Sequence, residues 1–361
     1  MNKSGDLDDA AEPGFDDKYT QTLRYVITAI QCFMILLTLA GNFATMAAFY
    51  KVRSLREKPG DLYILNLSCA DFFTGVFFLP MVPVHATGNW PWGKTMCQVF
   101  VCFVNAFVCA GIVSTVAISL DRYFLISREY PKYVKFQSTR RVYRTIAAIW
   151  VYSFGWTVFE WIMWEIVKIP EEIEDFDYTQ ECRSPPKHLP MYSTVAFIIS
   201  VFIPLISIEV LSIAFVILLR RKLKRRAQVT DFEISNLPSN TDQLSRISQV
   251  DRKINTDGGQ ASGNMVRNAE QLGRPTNNGK NRYVKAAITL AALVATLNFC
   301  LMPYIIYNFY VTLICPACNN GRMRTILANL FVNFNSCLNP VLYALTMSKI
   351  RRFYKRILCS K

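Results

Sequence analysis

The apolar positions of this chain fall into seven long runs: Tyr25 to Tyr50, Leu62 to Ala86, Met96 to Phe124, Val142 to Val167, Met191 to Leu219, Val284 to Ile314 and Thr325 to Thr346. Each is long enough to cross a hydrocarbon core roughly 30 Å thick, which takes about 20 helical residues. None alternates apolar and polar positions over about 10 residues, as an outer-membrane strand does. The pattern predicts an all-α membrane protein, a bundle of seven transmembrane helices, and argues against a barrel. A polar tail, residues 1–24, precedes the bundle at 25–347; residues 348–361 read as a cytoplasmic amphipathic helix and tail.

Composition agrees with this. A chain of 361 residues that is 52% hydrophobic and only 18% charged would expose several whole helices if folded in water. No short apolar stretch with a small-residue cleavage site precedes the first run, so that run reads as an uncleaved insertion signal. The net charge of +14 first suggests nucleic acid or an acidic partner. The basic residues, however, occupy alternate connections, the pattern that orients membrane helices. Lys51, Arg53, Arg56 and Lys58 follow the first run, and Arg128, Lys132, Lys135, Arg140, Arg141 and Arg144 the third. Arg220 to Arg226 follow the fifth, and Lys349, Arg351, Arg352, Lys355 and Arg356 the seventh. Acidic residues mark the other side, with Asp6, Asp8, Asp9, Glu12, Asp16 and Asp17 in the tail and Glu171, Glu172, Glu174, Asp175 and Asp177 after the fourth run. The N-terminus is expected outside, and no nucleic-acid partner is expected.

This topology sorts the eleven cysteines. Cys97 and Cys182 lie on the oxidising face, where a bridge would tie the connection after the fourth run over the bundle. Cys315 and Cys318 also lie outside. A zinc site would need a second ligand pair and a thioredoxin-like site a βαβ setting, so a local disulfide is the better reading. Cys359 follows the amphipathic stretch Lys349 to Leu358, where acylation would pin a short helix to the bilayer; a free thiol is the alternative. Cys32, Cys69, Cys102, Cys109, Cys300 and Cys337 lie within spans and read as packing residues.

Polar groups inside spans carry the functional argument, because a charge near the bilayer centre costs several kcal/mol unless it faces the bundle interior or water. Asp71 is such a charge. Asn42 in the first span and Asn335, Ser336 and Asn339 in the seventh are the groups that could face it. They form either a structural hydrogen-bond network or a sodium site, and no other cofactor is expected. Pro204, Pro303 and Pro340 each remove a backbone bond from spans five, six and seven, giving kinks that are either architectural or hinges.

Several short motifs sit at set depths in these runs: Gly41-Asn42, Asn66-Leu67-Ser68-Cys69-Ala70-Asp71, Trp90-Pro91-Trp92-Gly93 before Cys97, Asp121-Arg122-Tyr123, Trp150, Pro204, Pro303 and Asn339-Pro340-Val341-Leu342-Tyr343. With them the chain resembles a rhodopsin-like (class A) G-protein-coupled receptor over nearly its whole length. Within that family Ala70-Asp71-Phe72-Phe73-x-Gly75, the Trp90 region and Asn335 to Ala344 look most like the amine receptors, especially the histamine and muscarinic branches. The resemblance implies a receptor and not an enzyme. It also implies a plasma-membrane location, a heterotrimeric G protein as partner, and arrestin and receptor kinases as further cytoplasmic partners. The family's pattern has the residue matching Arg122 held by its neighbour, here Asp121, until activation frees it for the G protein. Activation would move span six outward about Pro303. By position the ligand pocket would be lined by His85, Val104, Asn105, Val108, Ser200, Tyr304, Asn308, Asn329 and Asn333.

Four departures limit what carries over. The aspartate with which amine receptors pair the ligand ammonium is replaced by Val104. Glu160 and Glu181 are the carboxylates that could compensate, both placed near the mouth. The tryptophan switch before the span-six proline is Leu301, and the tyrosine eight residues after the span-five proline is Ser212. The lysine that binds retinal in photopigments is Asn333, which disfavours an opsin. The connection 227–280 is too poor in large apolar residues to form a core and is expected to be disordered. Within it Ser245 and Ser248 flank Arg246 as kinase targets or as spacer. Arg220 to Arg226 would meet anionic lipid at about 1 kcal/mol per residue. Two alternatives to a ligand-driven receptor stand: a receptor-like protein with a constitutive or dimerising role, and a transporter, disfavoured because the halves show no repeat and only Asp71 is an obvious buried acid.

Overall fold

A computed structural model describes residues 13–166, 182, 195, 198–235, 277–310, 314 and 321–359. Within them the chain is helical in the order the runs predict. α1 (Pro13–Lys51) leads through the short α2 (Arg53–Arg56) and a 3-10 turn (Pro59–Asp61) into α3 (Leu62–Phe77) and α4 (Met81–Thr87). α5 (Gly93–Ser127), α6 (Tyr130–Phe136) and α7 (Thr139–Ile166) follow. A π turn (Ile198–Phe202) opens α8 (Ile203–Ser235), and α9 (Asn277–Phe309), α10 (Gly321–Thr346) and α11 (Ser348–Leu358) complete the described chain.

Among the described residues five helices are long and apolar enough to cross a membrane, and a sixth forms if the bent pair α3 and α4 is one span. Their outward faces stay apolar, as at Leu36, Phe43, Val151, Val210, Phe299 and Leu345, all exposed. α10 is the seventh expected span. It turns Asn333, Ser336 and Asn339 into the bundle, where they are buried, and that inward polar content lowers its hydropathy.

Motif residues make the close approaches. α1 and α10 pack so tightly at Gly41 that a Cβ there would meet Pro340 ring carbons at 2.8 Å. Asn66 of α3 accepts a hydrogen bond from Trp150 Nε1 at 2.9 Å and donates to Ser114 Oγ at 2.8 Å, tying α3, α5 and α7 together. Trp90, 1% exposed, donates to the Gly93 carbonyl and fixes the turn into α5. Gly88 and Gly93 take positive φ in that connection, where a Cβ would be strained.

The structure adjusts several expectations. α1 begins at Pro13, so the stretch read as a plain tail is helical for its second half. The second span breaks at Phe78 to Pro80 by 42°, because Pro80 and Pro83 cannot donate their backbone bonds. Near Pro204 the irregularity takes the form of the π turn just before it. The connection read as disordered is helical at its ends: α8 continues to Ser235 and α9 starts at Asn277, so each span extends its own hydrogen-bond ladder past the last apolar residue. Residues 236–276, with Ser245 and Ser248, lie outside the described residues, as do Cys315, Cys318 and Glu181.

Candidate functional site

Three clusters line the bundle from the outer to the inner side. At the outer end, Cys97 of α5 is disulfide-bonded to Cys182, as expected from the topology. Cys97 is fully buried with Ile35, Phe78, Met81 and Trp90, and Val104 packs half-buried against that group. His85 is 7% exposed at the end of α4, and its Nε2 is buried with no hydrogen-bond partner among the described residues. Asn105 does not face an open pocket alone: its Nδ2 donates to Glu160 Oε2 of α7 at 3.0 Å. Glu160 is half-buried in the last two turns of α7. Ser200 sits half-buried in the π turn and Asn333 is fully buried in α10. Tyr304 and Asn308 ride on α9 and Asn329 on α10, with side chains outside the described residues.

The second cluster lies at mid-depth. Asp71, 3% exposed, accepts hydrogen bonds from Ser336 Oγ and Asn339 Nδ2, both at 2.8 Å. Asn42 is turned elsewhere: its Nδ2 donates to the carbonyls of Thr38 and Ser336, because the nearest acceptors are the backbones of its own helix and of α10. Asn335 makes no hydrogen bond to Asp71, but lines the same cavity. Val108 lines it too, so this residue belongs to the Asp71 cavity. Gly111, Thr74 and Leu301 complete much of the wall. Gly111 brings no side chain into this wall, and Leu301 in the wall is 6% exposed.

The sequence reading missed further intramembrane polar groups. Glu209 of α8 accepts a hydrogen bond from Asn298 of α9 at 2.5 Å, so Asp71 is not alone among acids inside the bundle. Glutamate in an otherwise apolar run was the available signal.

The third cluster closes the end of the bundle opposite the Cys97–Cys182 bridge. Arg122 is 9% exposed and Asp121 2%. Arg122 Nη1 stands 3.4 Å from Asp121 Oδ2, and Nη2 donates to Asp61 Oδ1 at 3.3 Å. Tyr133 of α6 donates its hydroxyl to Asp121 Oδ1 at 2.8 Å. Burial first, then the Asp121 charge, raises the Tyr133 phenol well above its usual range, so it stays a donor at all physiological pH values. Asp61 had no signal in the sequence, since a polar residue in a connection reads as solvated. Tyr123 packs beside Phe124, whereas Tyr343, the last residue of the Asn339-Pro340 motif, is fully buried in the core at this end of the bundle. Lys222, expected at the lipid surface, turns inward. Its Nζ donates to the Ile126 carbonyl at 3.1 Å and lies 4.6 Å from the centre of the Tyr283 ring, because the last carbonyls of α5 lack intrahelical partners.

On the same side α11 packs against α1 and the connection that follows it. Tyr354 donates to the Gly41 carbonyl at 3.1 Å, and Lys349 donates to the Ser54 carbonyl at 2.9 Å. Cys359 is exposed at its end.

A sequence profile described as "7 transmembrane receptor (rhodopsin family)" matches residues 41–343. Among curated proteins the chain is 27% identical to "Dopamine receptor 1" of Drosophila melanogaster over 327 residues, 90% of this chain and 60% of that protein. It is 26% identical to the "D(1) dopamine receptor" of Carassius auratus over 367 residues, 96% and 92% of the two chains. A third relative is "5-hydroxytryptamine receptor 7" of Xenopus laevis, 24% identical across 95% of this chain and 79% of that one. The chain thus spans less than two thirds of the Drosophila relative but nearly all of the Carassius one. The profile covers every motif from Gly41 to Tyr343, and the buried Asp121, Arg122, Asn339 and Tyr343 occupy the ends and interior of one helical bundle: the chain belongs to the rhodopsin family of 7 transmembrane receptors, as a multi-pass G-protein-coupled receptor beside the amine receptors.

Proposed function

We propose that this receptor takes an extracellular small molecule between the outer halves of α5, α8, α9 and α10 and passes the signal to a heterotrimeric G protein at the cytoplasmic end. The observation that carries it is Arg122, a charge held nine-tenths buried by two carboxylates at the inner mouth of the bundle. A buried ion pair that loses its geometry is costly to leave unpaired. An outward movement of α9 would open that end of the bundle toward the guanidinium. Pro303 inside α9 supplies the hinge. Binding residues proposed for the ligand are His85, Val104, Asn105, Ser200, Tyr304, Asn308, Asn329 and Asn333, with Val108 beneath them.

Asp71, with Ser336, Asn339 and Asn335, is proposed as an allosteric sodium site. The group fits: one carboxylate, side-chain oxygens and a cavity wall opened by Gly111. Bound there, a cation would supply the positive charge that Asp71 otherwise lacks at that depth. Orientation with the N-terminus outside in the plasma membrane, a bilayer-facing α11 with Cys359 acylated, and arrestin and receptor kinases acting on the cytoplasmic face belong to the same proposal.

A screen of small molecules on cells carrying a panel of chimeric G proteins tests it. Ligand-dependent coupling that is lost in Arg122→Ala is the expected result, and uptake of label into proteoliposomes without coupling would replace it with a transporter. One observation favours a second reading, a receptor-like partner that does not respond to ligand: Leu301 and Val104 stand at the two positions where the family places its switch and its amine counter-charge. Coupling that is high without ligand and unmoved by the screen would select it.

A further inference from the structure

Two features of the cytoplasmic cluster go beyond the Asp121–Arg122 pair. The second carboxylate on Arg122 comes from Asp61, in the 3-10 turn that leads into α3, and both side chains are nearly closed to solvent. α9, the helix whose movement opens the bundle, contains no aspartate or glutamate anywhere from Asn277 to Phe309. No carboxylate on α9 therefore holds Arg122. Its cytoplasmic end meets the rest of the bundle differently, with Tyr283 buried at 5% exposure under the Lys222 ammonium of α8.

The turn is shaped to bring Asp61 there. Pro59 fixes the chain's entry, and Gly60 lies so close to Asp121 that a Cβ would meet its Oδ2 at 2.5 Å and its Cγ at 2.9 Å. Only a residue without a side chain lets this turn pass over the Asp121 carboxylate and deliver Asp61 to the far side of the same guanidinium. Tyr133 then holds Asp121 from α6. Arg122 is thus gripped from the first and second cytoplasmic connections, by elements other than the helix that moves.

We propose that Asp61 is a positioning residue for coupling: a latch, carried by the turn before α3, that holds Arg122 in the non-coupling state. In a chain whose α9 brings no acid, the release of Arg122 is a separate event from the opening of α9. Both must occur for the guanidinium to reach a G protein. The proposal rests on G-protein coupling as proposed above, and its test has one arm that does not need a G protein.

The experiment uses the full-length receptor in nanodiscs, at equal amounts judged by an N-terminal tag. Ligand-independent nucleotide exchange on added G protein is compared among wild type, Asp61→Asn, Asp61→Glu and Glu57→Gln. Glu57 is an exposed acid of the same connection, paired only with Arg53, and controls for loss of one negative charge. Asp61→Asn is expected to raise basal exchange about tenfold, equivalent to 1.4 kcal/mol in the resting-to-active balance. Asp61→Glu returns it toward wild type, because the charge is restored, and Glu57→Gln changes nothing. Gly60→Ala, which displaces Asp121 without altering any charge, is expected to raise basal exchange too and serves if Asp61→Asn does not accumulate. In the second arm, an environment-sensitive fluorophore is placed at Lys285→Cys, an exposed site on α9, in a Cys359→Ser background. Asp61→Asn then shifts the emission of the unliganded receptor. Basal exchange and emission in Asp61→Asn equal to those of wild type would overturn the latch. An emission shift without exchange in any variant keeps the latch and counts against the coupling assignment instead.

Discussion

Asp71 has two neutral donors and no cation within reach among the described residues. Neutral hydrogen bonds offset part of the cost of a carboxylate in a low-dielectric interior, but leave its charge in place. The sodium ion proposed for the cavity beside Gly111 and Asn335 would answer that deficit. Thermal stability of the purified receptor is expected to rise with sodium and not with a bulky organic cation, and Asp71→Asn to abolish the difference. An identical sodium response in the mutant would leave Asp71 a structural residue only. Val104 poses the complementary case, an apolar side chain where an amine ligand would need a counter-charge. Loss of a partly buried ammonium–carboxylate pair is worth about 2–5 kcal/mol, so simple biogenic amines should bind roughly 30-fold to several thousand-fold more weakly than at a site that keeps the acid. Dopamine, octopamine, histamine and acetylcholine are expected to be poor agonists of the wild type and better ones of Val104→Asp. The result to watch for is nanomolar activation of the wild type that disappears in Glu160→Gln. It would show that the counter-charge had moved to the carboxylate bonded to Asn105, one residue from Val104.

Helix pairs meet where a side chain is missing or where one polar group serves two partners. Gly41 is the clearest instance, since the ring of Pro340 fills the space a Cβ would take. Proline ring carbons cannot rotate away, so Gly41→Ala must push α1 and α10 apart, at a cost of about 1–3 kcal/mol. A drop in melting temperature of the purified protein measures it, and an unchanged value would mean the two helices slide freely. Removal of the Cys97–Cys182 bridge acts on another element, the connection that α5 anchors. Replacing either cysteine by serine is expected to lower surface expression sharply, as loss of a native bridge typically costs 2–5 kcal/mol. Such pairings divide into those a sequence displays and those it hides. Asp71 with Ser336 and Asn339 was legible, because polar residues in apolar runs have few places to go. The bridge was legible once charge had sorted inside from outside. The bend at Pro80 had a signal in its prolines, as Glu209 had in its apolar setting; the partner of Glu209 and the Asp61–Arg122 pair had none. These last two depend on rotation of one helix against another, or on the path of a three-residue turn, and neither leaves a periodic trace. Asn42 shows the same limit: its depth was right, but its amide found backbone carbonyls closer than the carboxylate.

At the scale of the molecule, charge and structure have to agree on which end faces the cytoplasm. The buried Asp61–Arg122–Asp121 cluster lies at the end where α2, α6 and α11 sit, and that end carries Arg53, Arg56, Lys132, Lys135, Arg351, Arg352, Lys355 and Arg356. Cys97 and its bridge lie at the other. Basic residues beside short connections are retained on the cytoplasmic side during insertion, whereas acids contribute little to orientation. Two independent requirements therefore point the same way: a disulfide needs the oxidising side, and a G protein needs the basic one. A tag at the N-terminus should stain intact cells, and a tag after Lys361 should stain only permeabilised ones. Neutralising Lys51, Arg53, Arg56 and Lys58 together should produce a fraction of inverted chains, visible as lost N-terminal staining at constant total protein. A wild-type N-terminal tag reachable only after permeabilisation would reverse the bundle. It would then place Cys97 and Cys182 in a reducing compartment and remove Arg122 from any G protein.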